Sequence, residues 1–163
     1  GHLPALFDAL ETAGQPHGIG LYGTYAANSM RLEKGYRGWG ADLTTERSPL
    51  ESGLAAFTKP EHRDFPGRQA LLTSANDWQS VLLRVEDGPT DPFYAHPVHQ
   101  GERIIGIVTS AGLGHRVGHA LALALLREPL SGEALSIEIL GQRRTATVLD
   151  RPPFDPDNSR LRA

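Results

Sequence analysis

Cysteine is absent from these 163 residues, which excludes a disulfide framework and any thiolate metal site. Excess charge of one sign is also missing: the formal net charge is -3 and the basic residues are scattered. There is accordingly no basic footprint for nucleic acid. No apolar run approaches the ~20 residues that a membrane-spanning helix needs. The longest, "HALALALLR", alternates Leu with Ala between His119 and Arg127. The opening "GHLPALFDAL" has neither the basic start nor the long apolar centre of a secretory signal. Together these absences imply a cytoplasmic protein with neither nucleic acid nor membrane as a partner. Lysine is scarce as well, 2 against 14 arginines, a composition that points to a GC-rich bacterial source.

Two amphipathic helices are predicted near the start. Leu3, Leu6, Phe7 and Leu10 recur at helical spacing before Gly14 and Pro16 stop the run. A second helical pattern spans Leu21 to Lys34, and Gly35 is placed to end it as a left-handed cap. "YRGWGADLTTER" then reads as an irregular loop displaying Tyr36 and Trp39. Ser48-Pro49-Leu50-Glu51 matches a capping box, although Gly53 leaves room for little more than a turn.

The texture changes after Lys59. Residues 60–76 read as a connector with one short helical run from about Gly67 to Ser74, Leu71 and Leu72 inward, and Asp64 as a possible cap. Beyond it the period is two. "SVLLRVE", "RIIGIVTSA", "HALALALL", "LSIEIL" and "RTATVLD" are strand-like, with a hairpin turn expected at Gly141-Gln142. The expected class is α+β: helices with short strands in residues 1–59, the connector at 60–76, then a small antiparallel β-barrel over 77–163.

Two motifs invite a ligand. "HGIGLYG", residues 17–23, spells G-x-G-x-x-G, and Asp42 lies about 20 residues on, where a ribose-binding acid is sought. A dinucleotide fingerprint, however, needs a strand before the glycines, and here a helix precedes them. The motif is read instead as a helix-to-helix turn whose glycines permit close packing. His115 and His119 are four apart, but glycines at 112, 114 and 118 argue for a bend between strands, where ~13 Å separates such residues; no metal is expected. Ser48 has no base partner, and no catalytic nucleophile stands out.

"RLEKGYRGWG", residues 31–40, carries more chemistry: guanidinium groups, an acid and aromatic walls suit a flat heteroaromatic ligand with a carboxylate tail. Arg31, Glu33, Tyr36 and Trp39 are the candidate binding residues. On an ideal helix Arg31 and Glu33 lie ~200° apart, so only one can face a ligand; the other is structural. Glu33 would then reach Arg37 one turn on.

"YAANSMRLEKGYRGWGADLTTERSPLESGLAAFTK" and "DFPGRQAL" closely resemble the tetrahydrofolate-dependent aminomethyltransferase family, which includes the glycine-cleavage T-protein. The "RLEKGYRGWG" variant and the tail "RPPFDPDNSRLR" are more similar to the carboxy-terminal folate module of dimethylglycine and sarcosine dehydrogenases. The resemblance implies a folate-binding domain followed by a barrel, and transfer of a one-carbon unit to tetrahydrofolate to give 5,10-methylenetetrahydrofolate. Any FAD would bind in a separate domain. It further implies that the active-site aspartate and a folate-binding glutamate come from an earlier half of the folate domain, so that these residues alone are inactive. That half, a lipoyl carrier protein and an upstream flavin domain are the implied partners. The tyrosine that the T-protein carries near its end is replaced here around Ser159. Two other readings stand beside this one: a fragment of a free T-protein, and a non-catalytic barrel acting as an interaction module.

Overall fold

The computed structural model describes residues 1–162. Its helices are α1 (Leu3–Gly14), α2 (Thr24–Glu33), α3 (Ala55–Thr58) and α4 (Arg68–Thr73), with a 3-10 turn at Gln15–His17. Six strands follow: β1 (Gln79–Val85), β2 (Pro97–Gln100), β3 (Arg103–Gly114), β4 (His119–Leu126), β5 (Leu135–Ile139) and β6 (Gln142–Val148). They close into one antiparallel barrel in the order β1-β4-β3-β2-β5-β6. The class is α+β, and among the described residues no helix is long and apolar enough to cross a membrane.

The Leu/Ala alternation of β4 explains how the barrel and helix α2 fit together. Ala120, Ala122 and Ala124 point inward with Val81, Leu83, Val85, Val98, Ile105 and Ile137; a six-stranded barrel is narrow, and small side chains relieve its interior. Leu121 and Leu123 point outward, where they meet Leu82 of β1 and Leu32 of α2. Both faces of β4 are thus buried, the inner face by the barrel and the outer by α2. Leu32 is fully buried in that outer cluster, and truncating such a leucine to alanine costs about 2–5 kcal/mol.

Helix α2 begins at Thr24, three residues later than its periodicity predicts, because Gly23 is extended (φ -89°, ψ 168°). It ends as the sequence leads one to expect. Gly35 has φ +63°, its N–H donates to the Leu32 carbonyl, and the Tyr36 N–H donates to the Arg31 carbonyl, the two bonds of a Schellman cap.

Several local expectations are corrected. The glycines of "HGIGLYG" do not permit close packing, since a Cβ at Gly18, Gly20 or Gly23 would meet nothing within 4 Å. No strand precedes them, only α1 and the 3-10 turn. The last hairpin turns at Leu140-Gly141, one residue earlier than expected, for Ile139 pairs with Gln142. Both turn residues have positive φ (51° and 78°), the geometry that twists with the strands. Strand β2 was not expected. Leu72 faces outward while Leu71 is buried, and α4 is preceded by Gly67 with no side-chain cap, so Asp64 does not cap it. The apolar stripe of α1 exists, but Leu3, Leu6, Phe7 and Leu10 are all exposed.

Candidate functional site

The site is built where the end of α2 meets β3. Arg31 Nε donates to Asn28 Oδ1 at 2.9 Å, and Nη1 donates to the Tyr36 carbonyl at 3.0 Å and to Asp42 Oδ2 at 2.8 Å. Nη2 donates to Ser110 Oγ at 2.7 Å. The helix supplies the first contact, its cap the second, the following loop the third and the barrel the fourth.

Asp42 is the centre of this network and is 3% exposed. Its Oδ2 accepts from Arg31 and from the Gly38 N–H at 2.8 Å, and its Oδ1 accepts from Thr109 Oγ1 at 2.6 Å. One buried carboxylate therefore fixes the guanidinium, the loop and the barrel strand together. Charge-assisted bonds of this kind are roughly twice as strong as neutral ones.

The barrel can reach the network because β3 carries a bulge. Val108 pairs with Ala124 and Ser110 with Leu123, leaving Thr109 as the extra residue. In a regular strand Thr109 and Ser110 would point to opposite faces. The bulge re-aims them, so that one hydroxyl meets Asp42 and the next meets Arg31.

Glu33 goes elsewhere. It is 2% exposed, and its Oε1 accepts the backbone N–H of Arg116 at 2.6 Å and of Val117 at 3.3 Å in the β3–β4 turn. The expected reach to Arg37 does not occur. Arg37 lies on another side of the loop, donating from Nε to Ser80 Oγ at 3.0 Å. It lines a cavity of about 300 Å³ with Gly35, Val81, Leu149 and Arg151. Burial pulls its pKa down, against an upward pull from Asp42.

Tyr36 and Trp39 are placed on the loop that follows Arg31. Tyr36 is half exposed and Trp39 is 76% exposed, with Trp39 bridged to Leu43. Further aromatic surface lies at the start of α2, in Tyr22 and Tyr25, both exposed. Donors and aromatic faces of this kind fit a flat, hydrogen-bonding ligand.

The tail locks the same helix end from behind. Lys34 Nζ donates to the Asp155 carbonyl (2.7 Å), Asp155 Oδ2 (3.1 Å) and Asn158 Oδ1 (2.6 Å), which uses all three of its N–H bonds. The guanidinium groups of Arg116 and Arg160 lie 5.0 and 5.5 Å from the centre of the Phe154 ring, and the Phe154 N–H donates to the Glu33 carbonyl. Burial pushes the Asp155 carboxyl up. The Ser159 hydroxyl, the Arg160 N–H and the Lys34 ammonium outweigh it and bring the pKa down to about 2.

Of the four candidates, the structure places Arg31 in the last turn of α2, Tyr36 and Trp39 on the loop that follows it, and the Glu33 carboxylate at the β3–β4 turn. Asp42, Thr109 and Ser110 were missed as parts of the site. Asp42 was weighed only as a ribose-binding acid, and the bulge that selects the two hydroxyls leaves no mark in the local pattern. The Ser48–Glu51 box forms reciprocally, at 2.9 and 3.2 Å; the Ser48 N–H bond lowers the Glu51 pKa despite burial. His115 sits in the β3–β4 turn and His119 opens β4. Among the described residues no cluster of His, Asp or Glu could hold a metal ion.

Two family models match the chain. The GCVT N-terminal domain covers residues 1–62, and the glycine cleavage T-protein C-terminal barrel domain covers residues 79–155. The chain is 34% identical to mitochondrial dimethylglycine dehydrogenase of Mus musculus over 163 residues, which is 96% of this chain and 19% of that protein. It is 34% identical to the aminomethyltransferase of Corynebacterium aurimucosum, over 94% of this chain and 43% of that one. It thus spans about a fifth of the dehydrogenase's length and less than half of the transferase's. The crystal structure of aminomethyltransferase T of the glycine cleavage system from Bartonella henselae superposes with a TM-score of 0.68 at 24% identity, covering 80% of this chain and 38% of that one; it shares the fold.

Proposed function

The chain belongs to the glycine-cleavage T-protein family, and from that premise we propose that it is the carboxy-terminal part of a tetrahydrofolate-dependent one-carbon transferase, the tail of a flavin-linked N-demethylase. The one-carbon unit ends as 5,10-methylenetetrahydrofolate. The tryptophan-bearing loop, which resembles that of the demethylating dehydrogenases, favours the demethylase reading over a free T-protein; overall identity is 34% to each.

The observation that carries the folate reading is Arg31, held by four partners at the base of a loop that exposes Tyr36 and Trp39. Tetrahydrofolate would supply the nitrogen nucleophile that accepts the carbon. The residues here would do the rest by binding: a guanidinium donor for an oxygen of the ligand and aromatic faces for its flat portion. Positioning of this kind is what such a transfer asks of the protein. FAD would belong to a separate domain.

Leu3, Leu6, Phe7 and Leu10 of α1 and Tyr22 and Tyr25 at the start of α2 are exposed, and exposed apolar faces mark interaction sites. We take these faces as the seat of the remaining half of the folate domain. A polypeptide limited to residues 1–163 is then expected to show no turnover.

Titration calorimetry with 5-formyltetrahydrofolate tests the reading on the complete gene product that carries this chain. Wild type should bind, and Arg31→Ala should bind at least about tenfold more weakly, the equivalent of ~1.4 kcal/mol. Absence of binding by the wild type overturns the reading and leaves the barrel as an interaction module.

A further inference from the structure

Arginine has five N–H bonds, and the structure accounts for four of them in Arg31. The single Nε N–H goes to Asn28, both on Nη1 go to Tyr36 and Asp42, and one on Nη2 goes to Ser110. Among the described residues, one N–H on Nη2 is left without an acceptor. A free guanidinium offers a two-pronged fork that matches a carboxylate; here the edge that would pair Nη1 with Nη2 has already given Nη1 away. A ligand therefore meets one donor, suited to one oxygen.

The direction of that donor depends on Asp42. Of the four acceptors, it alone is charged, and it alone also binds the loop and the barrel. Asn28 lies on the helix itself, so it moves with Arg31. Asp42 refers the guanidinium to a second body, through Thr109 at the bulge. We propose that Asp42, buttressed by the β3 bulge, is a positioning residue: it orients Arg31 so that a single Nη2 N–H is presented to one oxygen of the ligand, and the barrel is thereby part of the binding site. The inference rests on the folate reading given above.

Two substitutions separate position from charge. Asp42→Asn keeps the shape. Its carbonyl oxygen can take the place of Oδ2, accepting from Arg31 and Gly38. Its amide then faces Thr109, whose hydroxyl can turn to the Leu123 carbonyl 3.2 Å away. All partners stay satisfied and the charge is lost. Asp42→Glu keeps the charge and moves it outward by one methylene, displacing the guanidinium. With 5-formyltetrahydrofolate as the probe, positioning predicts that Asp42→Asn stays within about fivefold of wild type, while Asp42→Glu binds at least about tenfold more weakly. Melting curves accompany each variant. A purely electrostatic role reverses the order, and a merely structural one leaves both folded variants at the wild-type Kd.

Weakening beyond about fivefold in folded Asp42→Asn, or a wild-type Kd in Asp42→Glu, overturns the positioning role. Should Asp42→Glu fail to fold, Thr109→Val, which removes the hydroxyl that ties Asp42 to the bulge, takes its place: positioning predicts weakened binding, and a wild-type Kd in folded Thr109→Val overturns it. If Arg31→Ala weakens binding while these results fail, only the positioning role falls. No binding by wild type removes the folate reading and this inference with it.

Discussion

Replacing Glu33 should reveal how α2 is fastened to the barrel. Its Oε1 alone accepts both turn N–H groups, at 2.6 and 3.3 Å. No cationic side chain lies within salt-bridge distance of it among the described residues. Hydrogen bonds to a charged acceptor are worth about 1.5–3 kcal/mol each, with the longer one at or below the bottom of that range. Set against them is the desolvation of a carboxylate that is 2% exposed, which removal of the charge relieves. The net expected for Glu33→Ala is a loss of about 2–3 kcal/mol. Glu33→Gln should cost under ~1 kcal/mol, because a single amide oxygen can accept both N–H groups at neutral strength. For a chain of this size each kcal/mol moves the Tm by about 2–4 °C, so calorimetry should place the alanine variant roughly 4–12 °C below wild type and the glutamine variant close to it. Ligand affinity of folded Glu33→Gln should match wild type. If glutamine proves as damaging as alanine, the charge is answering something other than these two N–H groups. If glutamine abolishes folate binding without changing Tm, Glu33 is a ligand contact and the assignment is wrong.

Other expectations follow from single features. Trp39→Ala should leave stability within ~0.5 kcal/mol, as the indole is 76% exposed, and should weaken 5-formyltetrahydrofolate binding roughly tenfold if the ring covers the ligand; unchanged affinity removes Trp39 from the site. The Asp155 pKa is depressed to about 2 from an ordinary value of 3.8, so its contribution is complete above pH ~4 and is lost as pH falls through about 2. Over that window the wild-type Tm should fall more steeply than that of Asp155→Asn, and parallel curves would refute the coupling. Leu140→Asn should stabilise by about 0.5–1 kcal/mol in urea titration, since Leu140 holds a positive φ of 51° while 79% exposed, and asparagine tolerates that conformation better.

How much of this was legible beforehand depends on how local each signal is. Strands β1, β3, β4, β5 and β6 and both main helices could be read, because their residue types recur with a period of two or 3.6; the period marks the element and not its burial, for both faces of β4 are covered and the stripe of α1 is exposed. Strand β2 has only four residues, with His99 and Gln100 both buried and a register shift beside them, so no alternation survives to mark it. The final hairpin was found but mis-phased: glycine was assumed to stand first in the turn, whereas Leu140 takes that place against its preference. Arg31, Glu33, Tyr36 and Trp39 stand out by residue type within residues 31–40, a helix end and the loop after it. Asp42 was within reach of that loop, but its meaning lies in Thr109, 67 residues on, and the bulge that delivers Thr109 is defined only by its pairing with β4.

The opposition of Arg31 and Glu33 on α2 finds its explanation in the hairpin of β3 and β4. Two residues ~200° apart on a helix cannot share a pocket, yet both are fastened to that one hairpin: Arg31 to Ser110 directly and to Thr109 through Asp42, Glu33 to the turn at Arg116 and Val117. Between them Leu32 inserts against Leu121 and Leu123 of the same hairpin. Three consecutive residues thus grip it with a guanidinium network, an apolar plug and a carboxylate, and Lys34 adds the tail behind them. A barrel that served only as an adaptor would need the plug and nothing more. The two hydroxyls at the bulge instead hold the groups that stand nearest the exposed aromatic loop, so motion of the hairpin must move Arg31. The barrel is the frame against which Arg31 is set, and on the reading proposed above that frame aims the arginine at folate.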